Sequence, residues 1–414
     1  MTTRKVSSKF KDWKLVHLGD SATFLKKLSL SRDQMTPGGE ISYLHYGDIH
    51  VGPKYRLDAR IERMPTIKLT DQANATLLAV GDLVFVDASE DTLGVGKSVE
   101  ITDVPENGLV AGLHTIAVRF DKSVLADGFK AYLQEIPAFR AHMLRLAAGT
   151  KVLASTKSHI ASAEILLPST QEQLVVAGVL SSTDQLLDSL DALLAKKRDI
   201  KQGVMQQLLT GKTRLPEFHS QWQMVRLGDV VTMSSGGTPP SKVSEFYGGQ
   251  IKWASIADMT KAGKYLSHTD VMLTKLGLVN SSAVVYKGPV ILYAMYASIG
   301  EVCISPEPVS SSQAILGIST GNKIELEFLY YLLEAFKPTA KNLGQQGTQS
   351  NLNKGMVQDF TFKMPTQINE QQAISKVLSD MDSEIEALKS RREKTALIKI
   401  GMMQELLTGR TRLI

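Results

Sequence analysis

The sequence predicts an α+β fold built by tandem duplication, with two globular regions of mixed α/β content and two long helices. Three observations predict it. A segment of 45 residues occurs twice, a short landmark containing tryptophan opens each half of the chain, and short β-branched runs lie between these repeats. Strand and helix do not alternate regularly, so a doubly wound parallel sheet is not expected.

The repeated segments, residues 171–215 and 369–413, align without a gap and are identical at 20 positions. Apolar residues recur in each copy at spacings of three and four, the period of a coiled coil. A proline precedes each predicted helix, at 168 and 365, and a glycine follows it, at 211 and 409, as helix start and stop signals require. About 39 residues at ~1.5 Å each give helices of about 58 Å. The predicted coiled-coil positions are Leu180, Leu187, Leu190, Leu194, Leu378, Met381, Ile385 and Leu388.

Helices of this length cannot bury their apolar stripe against a small domain alone, so each is expected to pack beside its copy. Polar residues interrupt the stripe near its centre and would fix the register at some expense of stability, namely Lys197, Lys201, Arg392 and Lys399. Beyond them the second copy carries more apolar surface than one partner helix can cover. We therefore expect a second partner there, either a globular part of this chain or another subunit. The residues concerned are Leu397, Ile398, Ile400, Met402, Met403, Leu406 and Leu407.

The landmark WKLVHLGD at 13–20 is echoed by WQMVRLGD at 222–229, so the duplication covers the whole chain. The regions between the landmarks and the long helices predict short strands with intervening helices at 129–146 and 325–336. Strands are expected within 83–86, 114–120, 282–288 and 314–319. The predicted division is a first globular domain at 1–168, a helix at 169–215, a second globular domain at 216–365 and a helix at 366–414.

Composition excludes several classes of protein. A chain of 414 residues exceeds the usual size of one core, which agrees with two domains. The single cysteine, Cys303, rules out an intramolecular disulfide and suits a reducing cytosol, so we expect a cytoplasmic protein. No apolar window approaches the ~18 residues of a membrane span. The net charge of +5 does not by itself indicate nucleic-acid binding.

A search for catalytic motifs is negative. The GKT at 211–213 would need a glycine at position 206 to form a phosphate-binding loop, and Gln206 stands there. The motif is better explained as a helix C-cap. His45 and His50 approach metal-ligand spacing without a third ligand nearby. Amino-methyltransferase and metal-dependent nuclease motifs are also absent, so we predict a non-catalytic chain without a metal or cofactor of its own.

Two polar loops of the second half are suited to DNA. SSGGTPPSK at 234–242 carries hydroxyls, a lysine and backbone N–H groups for phosphate, and NLGQQGTQSNLNK at 342–354 carries amides that pair with adenine. A Gly-Thr pair recurs at the equivalent place in the first half, where basic residues also cluster around Tyr55. A solvated polar loop is the alternative for any single residue. The candidate DNA-binding residues are Lys54, Arg56, Arg60, Arg63, Gly149, Thr150, Lys151, Ser235, Gly236, Gly237, Thr238, Ser241, Lys242, Gln346, Gly347, Thr348, Ser350 and Asn351.

These motifs together resemble the specificity subunit of type I restriction–modification systems. The carrying residues are both copies of MQxLLTGxTRL (205–215 and 403–413), the Glu-Gln pairs at 172–173 and 370–371, and the SGGTPPS and GTQSNLN loops. The resemblance implies that the two globular domains are target recognition domains, each reading half of a split DNA site. It also implies that the long helices pair as an antiparallel coiled-coil spacer. The first half departs from the pattern at 27–40, where SGGTPPS would stand.

The resemblance further implies that the chain binds double-stranded DNA and performs no chemistry. Two methyltransferase subunits and the motor–nuclease restriction subunits would assemble on it, with S-adenosylmethionine, ATP and magnesium bound by those partners. A pseudo-two-fold body would place half-sites about one DNA turn, ~10 bp, apart. Because the two domains differ in sequence, the site should be asymmetric. The alternatives are a catalytic DNA methyltransferase or nuclease with a cryptic site, and a coiled-coil scaffold without DNA binding.

Overall fold

The structure is a computed structural model that describes residues 12–36, 38–52, 55–147, 149, 152–345 and 351–414. It contains two compact units. Unit 1 comprises Met1–Asp191 and Arg391–Ile414, and unit 2 comprises Ala192–Ser390. The first long helix, Thr170–Leu208, and the second long helix, Ile368–Leu406, each contribute residues to both units.

Unit 1 is built on an antiparallel sheet whose first four strands lie in the order Ala22–Phe24, Thr115–Phe120, Leu83–Val86 and Ser98–Asp103, with Arg56–Asp58 added in parallel at the edge. The other strands form smaller sheets: Lys14–His17 with Glu164–Leu167, Thr66–Ile67 with Ile41–Leu44 and Leu109–Ala111, and Leu153–Ala154 with Ala88–Ser89. Short α-helices span Tyr46–Val51, Pro137–Leu146 and Lys157–Ala161. The 3₁₀ helices span Leu18–Ser21, Arg32–Gln34, Leu69–Asn74 and Lys130–Glu135.

Unit 2 repeats the main antiparallel sheet, with strands in the order Val231–Ser235, Ile315–Thr320, Val290–Ala294 and Val302–Ser305. Its smaller sheets join Val271–Leu273, Tyr247–Ala254 and Ser310–Ser311, and Gln223–Arg226 with Thr361–Met364. Its α-helices span Ile256–Ala262, Lys275–Val279, Leu326–Gln345 and Lys354–Gln358, with 3₁₀ turns at Leu227–Asp229 and Ser244–Phe246.

The structure confirms the α+β class and the duplication, because both units share one strand order. Two local predictions are wrong. The helix predicted over 129–146 is divided, since Pro137 starts a new α-helix after a 3₁₀ turn. The strand predicted within 282–288 makes only an isolated bridge at Tyr286, because its neighbours Ser282 and Ala283 pack instead against the backbone of Gly237.

A buried carboxylate clasp recurs in each unit at the start of one long helix and just past the end of the other. In unit 2, Glu370 is 1% exposed and accepts two hydrogen bonds from Arg214, at 2.6 and 2.8 Å. The indole Nε1 of Trp222 donates a third at 3.0 Å. In unit 1, Glu172 accepts from Arg412 at 2.5 and 2.6 Å. The clasp explains why the Glu-Gln pair and the TRL sequence are both repeated.

The glutamine that follows each of these glutamates joins the helix to the globular part of its unit. The amide of Gln173 accepts from the Ala126 N–H and donates to the Val124 and Pro168 carbonyls. Gln371 makes the equivalent bonds to Glu325, Lys323 and Pro365. Buried backbone groups at these helix starts are thereby paired rather than left unsatisfied.

Ion pairs show that the two long helices run antiparallel within each unit. In unit 1, Asp184 pairs with Lys399 and Asp191 with Arg392, so the partner number falls as the chain advances. In unit 2, Lys197 pairs with Glu384 and Lys201 with Asp382 in the same sense. The pairing therefore confirms the antiparallel coiled coil that the resemblance implies.

The lysines predicted to interrupt the stripe lie in matching polar clusters. In unit 1 the ammonium of Lys399, a residue only 5% exposed, binds Asp184 and lies 3.8 Å from the Tyr55 ring centroid. The Tyr132 hydroxyl donates to the same carboxylate at 2.8 Å, and burial raises the pKa of that phenol, which keeps it protonated as a donor. Buried charges of this kind favour one register, because any slip would leave them unpaired.

Unit 2 contains the same arrangement at the equivalent positions. Lys201 binds Asp382 at 2.7 Å, and its ammonium lies 5.3 Å from the Tyr331 ring. The Tyr331 hydroxyl donates to Asp382 at 2.6 Å, and burial raises the pKa of this phenol as well. Each unit thus encodes its own register.

The apolar end of the second long helix is covered by the globular part of unit 1. Met403, Leu406 and Leu407 are buried in one core with Val176 and Leu180. The globular part of unit 1 is therefore the second partner that the sequence predicts for these three residues. Nearer the middle of that helix, three apolar side chains remain exposed: Leu397, Ile398 and Ile400.

Replacing Arg214 with Met should destabilise unit 2 by about 3 kcal/mol, because the buried Glu370 carboxylate then loses its cation. The matched control is Arg226→Met, which breaks a pair with Asp359 that is exposed on both sides. That control should cost under ~1 kcal/mol. Chemical denaturation of the full chain measures both changes, and equal losses would show that the clasp has no special role.

Candidate nucleic-acid interface

In unit 2, loops from four parts of the chain meet at one end of the main sheet through backbone hydrogen bonds. The N–H of Gly237 donates to the Ser311 carbonyl at 2.9 Å, and that of Met295 donates to Ala314 at 2.8 Å. The N–H of Leu352 donates to the Met295 carbonyl at 3.0 Å. We call this set of loops the unit 2 loop cluster. It displays the exposed side chains of Thr238, Gln313 and Asn351.

Unit 1 has the same network. The N–H of Leu28 donates to the Ala111 carbonyl at 2.9 Å, and that of Asp87 donates to His114 at 3.0 Å. The N–H of Ser155 donates to the Asp87 carbonyl at 2.8 Å. These loops form the unit 1 loop cluster. The backbone framework is therefore kept in both units although the loop sequences have diverged.

The side chains on the two loop clusters differ in charge. In unit 1 the Asp87 carboxylate lies between the Lys27 ammonium, at 2.9 Å, and Nδ1 of His114, at 3.0 Å. In unit 2 the hydroxyl of Thr238 donates to Oε1 of Gln313. At this place unit 1 thus carries an ionic group and unit 2 a neutral hydrogen-bonded pair, which suits domains that bind different sequences.

The SGGTPPS loop is held more tightly than the sequence analysis expected. The N–H groups of Gly236 and Gly237 donate to the Ile315 and Ser311 carbonyls, so they are not free to bind phosphate. A Cβ on Gly237 would come within 2.5 Å of the backbone at Ala283, so only glycine fits. The remaining polar residues of this loop are exposed, namely Ser235, Thr238, Ser241 and Lys242.

The basic residues proposed in unit 1 occupy different environments. Arg56 donates to Ser181 of the first long helix at 2.5 Å, much as Lys264 of unit 2 donates to Ser379. Arg60 is held by Asp58 and Asp103, at 2.8 and 2.9 Å. Arg63 is exposed, and Lys54 lies outside the described residues.

The Gly-Thr loops are described only in part. Gly149 is exposed with a φ of 142°, a conformation that favours glycine. The candidates Thr150, Lys151, Gln346, Gly347, Thr348 and Ser350 lie outside the described residues. Just beyond these loops, Thr156 and Asn353 each cap a short helix, accepting from the N–H groups of His159 and Met356.

The predicted coiled-coil positions lie on the inner side of the helices to different degrees. Five are buried: Leu180, Leu190, Leu194, Leu378 and Ile385. Three are half-buried: Leu187, Met381 and Leu388.

The residues weighed for catalysis have structural roles. Gly211 follows the first long helix with a φ of 69°, as a helix C-cap requires, so the GKT sequence ends a helix. His45 caps the helix Tyr46–Val51, and burial raises the pKa of the Cys303 thiol to about 12. Within the described part of the chain, no group of three or more metal-ligating side chains comes together. No described helix has the length and apolarity that crossing a membrane demands.

Sequence reasoning missed four residues of the loop clusters: Lys27, Asp87, His114 and Gln313. None belongs to a repeated motif. His114 carried no signal in the sequence, because its φ of 56°, unusual outside glycine, is visible only in the structure. Gln313 likewise carried no signal in the sequence, since it stands among serines and an alanine before a strand.

Replacing Gly237 with Ala should destabilise unit 2 by about 1–3 kcal/mol, because backbone must move to admit the methyl group. A glycine in the second long helix provides the control, since nothing lies within 4 Å of a Cβ built on Gly401. Gly401→Ala should stabilise by about 0.5–1 kcal/mol. Thermal unfolding distinguishes the two signs, and a neutral Gly237→Ala would show that the loop is loosely held.

Comparison with known proteins gives a consistent result. Residues 219–395 match the model of the type I restriction modification DNA specificity domain. The chain is 25% identical over 362 residues to a protein of Methanocaldococcus jannaschii assigned as the MjaX type I restriction enzyme specificity subunit, covering 84% of this chain and 82% of that one. It is 28% identical over 283 residues to the MjaVIII specificity subunit of the same organism, covering 64% and 66%.

Solved structures share the fold. The S subunit of a type I restriction–modification system from M. genitalium superposes with a TM-score of 0.61 at 14% identity, covering 98% of this chain and 99% of that one. The HsdS subunit from Thermoanaerobacter tengcongensis gives a TM-score of 0.51 at 16% identity, covering 97% and 98%.

Proposed function

The chain belongs to the family of type I restriction–modification specificity subunits, and we propose that it binds an asymmetric bipartite DNA site, with one half-site for each globular domain. One observation carries this proposal. The same backbone framework carries the ionic group of Lys27, Asp87 and His114 in unit 1 and the neutral pair of Thr238 and Gln313 in unit 2. Two identical readers would favour a palindrome, whereas two different readers favour unlike half-sites.

We propose that the domains follow the division at 168, 215 and 365, with target recognition domains at 1–168 and 216–365. The helices between and after them would act as a spacer that fixes the half-site separation. Their antiparallel pairing within each unit, and the ion pairs of the buried Lys399 and the half-buried Lys201, which favour one register, support this role.

The DNA-binding residues named from the sequence are proposals, and exposure and hydrogen bonding favour some of them more than others. Exposure favours Arg63, Thr238, Ser241, Lys242 and Asn351 as groups that reach DNA. Gly236 and Gly237 would shape their loop rather than donate to phosphate, because their N–H groups are already bonded. The intramolecular bonds of Arg56 and Arg60 would have to be shared or broken on binding.

We further propose that the chain performs no chemistry itself and assembles with two methyltransferase subunits and with motor–nuclease restriction subunits. S-adenosylmethionine, ATP and magnesium would be bound by those partners. The exposed apolar side chains Leu397, Ile398 and Ile400 offer a docking surface for such a partner. Methyl transfer or DNA cleavage by the purified chain alone would instead support the alternative of a cryptic catalytic site.

Binding of double-stranded DNA by the full chain should weaken steeply as salt rises, since phosphate contacts release counterions. A gel-shift titration at several salt concentrations measures the slope. A chain that shifts no DNA at low salt would be a scaffold without a DNA-binding role.

Methylation mapping in a strain that expresses this chain with its modification subunits should reveal one bipartite motif with two unlike halves. The physical reason is the difference between the two loop clusters. A palindromic motif dependent on this chain would contradict the proposal.

Replacing Asn351 with Ala should weaken sequence preference in only one half-site, by about 1–3 kcal/mol if its amide pairs with a base. The control is Asn280→Ala, which removes an exposed amide that bonds locally to the Leu276 carbonyl. Binding selections with both variants supply the measurement, and preferences that stay unchanged in both halves would exclude Asn351 as a reader.

A further inference from the structure

Resting on the proposed function, we infer which base pair each loop cluster reads. Asp87, with Lys27 and His114, reads a G·C pair in the half-site bound by unit 1. Gln313, oriented by Thr238, reads an A·T pair in the half-site bound by unit 2.

The argument for unit 1 starts from how Asp87 is held. Its backbone N–H and carbonyl are both bonded within the unit 1 loop cluster, to His114 and Ser155. Its carboxylate is fixed from two sides, because Oδ2 accepts from the Lys27 ammonium at 2.9 Å and Oδ1 lies 3.0 Å from Nδ1 of His114. The orientation of the Asp87 side chain is therefore fixed before DNA binds, which lowers the entropic cost of binding.

The three side chains of this ionic group remain accessible. The exposed fractions of the Lys27, Asp87 and His114 side chains are 30%, 21% and 49%. Each carboxylate oxygen can accept a second hydrogen bond, and a lysine ammonium has three donors. Hydrogen-bond donors and acceptors are thus both available at one place on the surface.

That combination complements one base pair. In the major groove, guanine presents two acceptors, N7 and O6, and cytosine presents the N4 donor. The Lys27 ammonium would donate to guanine while the Asp87 carboxylate accepts from cytosine. An A·T pair is disfavoured because its donor, adenine N6, lies between the acceptors N7 and O4, so the lysine finds no two neighbouring acceptors as it does on guanine.

The corresponding place in unit 2 has different chemistry. Gln313 is exposed two residues before the strand Ile315–Thr320, and its Oε1 accepts from the Thr238 hydroxyl. This bond fixes the amide orientation and leaves the NH₂ group and a second lone pair of Oε1 for a ligand. An amide in this state can accept from adenine N6 and donate to N7, the bidentate pairing that discriminates adenine.

The test is selection of bound sequences from randomised double-stranded DNA by the full-length chain, comparing wild type with Asp87→Asn and Gln313→Glu. Asp87→Asn should reduce G·C preference about tenfold or more at one position of one half-site. Gln313→Glu should reduce A·T preference by a similar factor at one position of the other half-site, because a carboxylate cannot donate to adenine N7.

Two control variants make the same charge changes elsewhere. Glu164→Gln lies on an exposed position of the small sheet in unit 1, and Gln250→Glu lies on an exposed position of the strand Tyr247–Ala254 in unit 2. Both should leave the selected sequence unchanged. If Asp87→Asn proves unstable, Lys27→Met provides a second variant, and it should weaken preference at the same base pair.

The outcomes separate the inference from the proposed function. A wild-type chain that selects no bipartite sequence overturns the proposed function itself. A wild-type chain that selects a bipartite sequence, with preferences unmoved by Asp87→Asn, Lys27→Met and Gln313→Glu, overturns only the base-pair assignment. Loss confined to the assigned position and half-site supports it.

Discussion

The architecture depends on a buried glutamate at the first turn of each long helix. Glu172 and Glu370 are carboxylates removed from water, and such groups are stable only when fully paired. Their partners are arginines that follow the end of the opposite helix, Arg412 and Arg214. In each unit the clasp therefore ties the start of one helix to the segment beyond the other, and it tolerates little variation in length or register.

Some contacts are the same in both units because of this constraint, whereas others differ between the units. The clasps and the Lys–Asp–Tyr clusters recur in both units with the same atoms in contact. The loop clusters keep their backbone hydrogen bonds, while their side chains have changed from an ionic set to a neutral one. Specificity can then change through a few side chains without disturbing the scaffold.

Sequence reasoning succeeded where a signal is local and periodic. The long helices are predicted by their apolar spacing, and their ends by the glycines at 211 and 409, which adopt positive φ in the structure. The loop clusters were beyond its reach, because their hydrogen bonds join residues far apart, as between Gly237 and Ser311. Asp87 and Gln313 lie outside every repeated motif, and the free N–H groups expected at Gly236 are in fact occupied.

The composition of the two units has a consequence for biosynthesis. Unit 2 is one continuous stretch, whereas unit 1 needs Met403, Leu406 and Leu407 to complete a core begun before residue 191. Nascent chains usually mature from the amino end onward. Unit 1 therefore completes its packing only after residues 403–407 have been synthesised, whereas all of unit 2 lies before them in the chain.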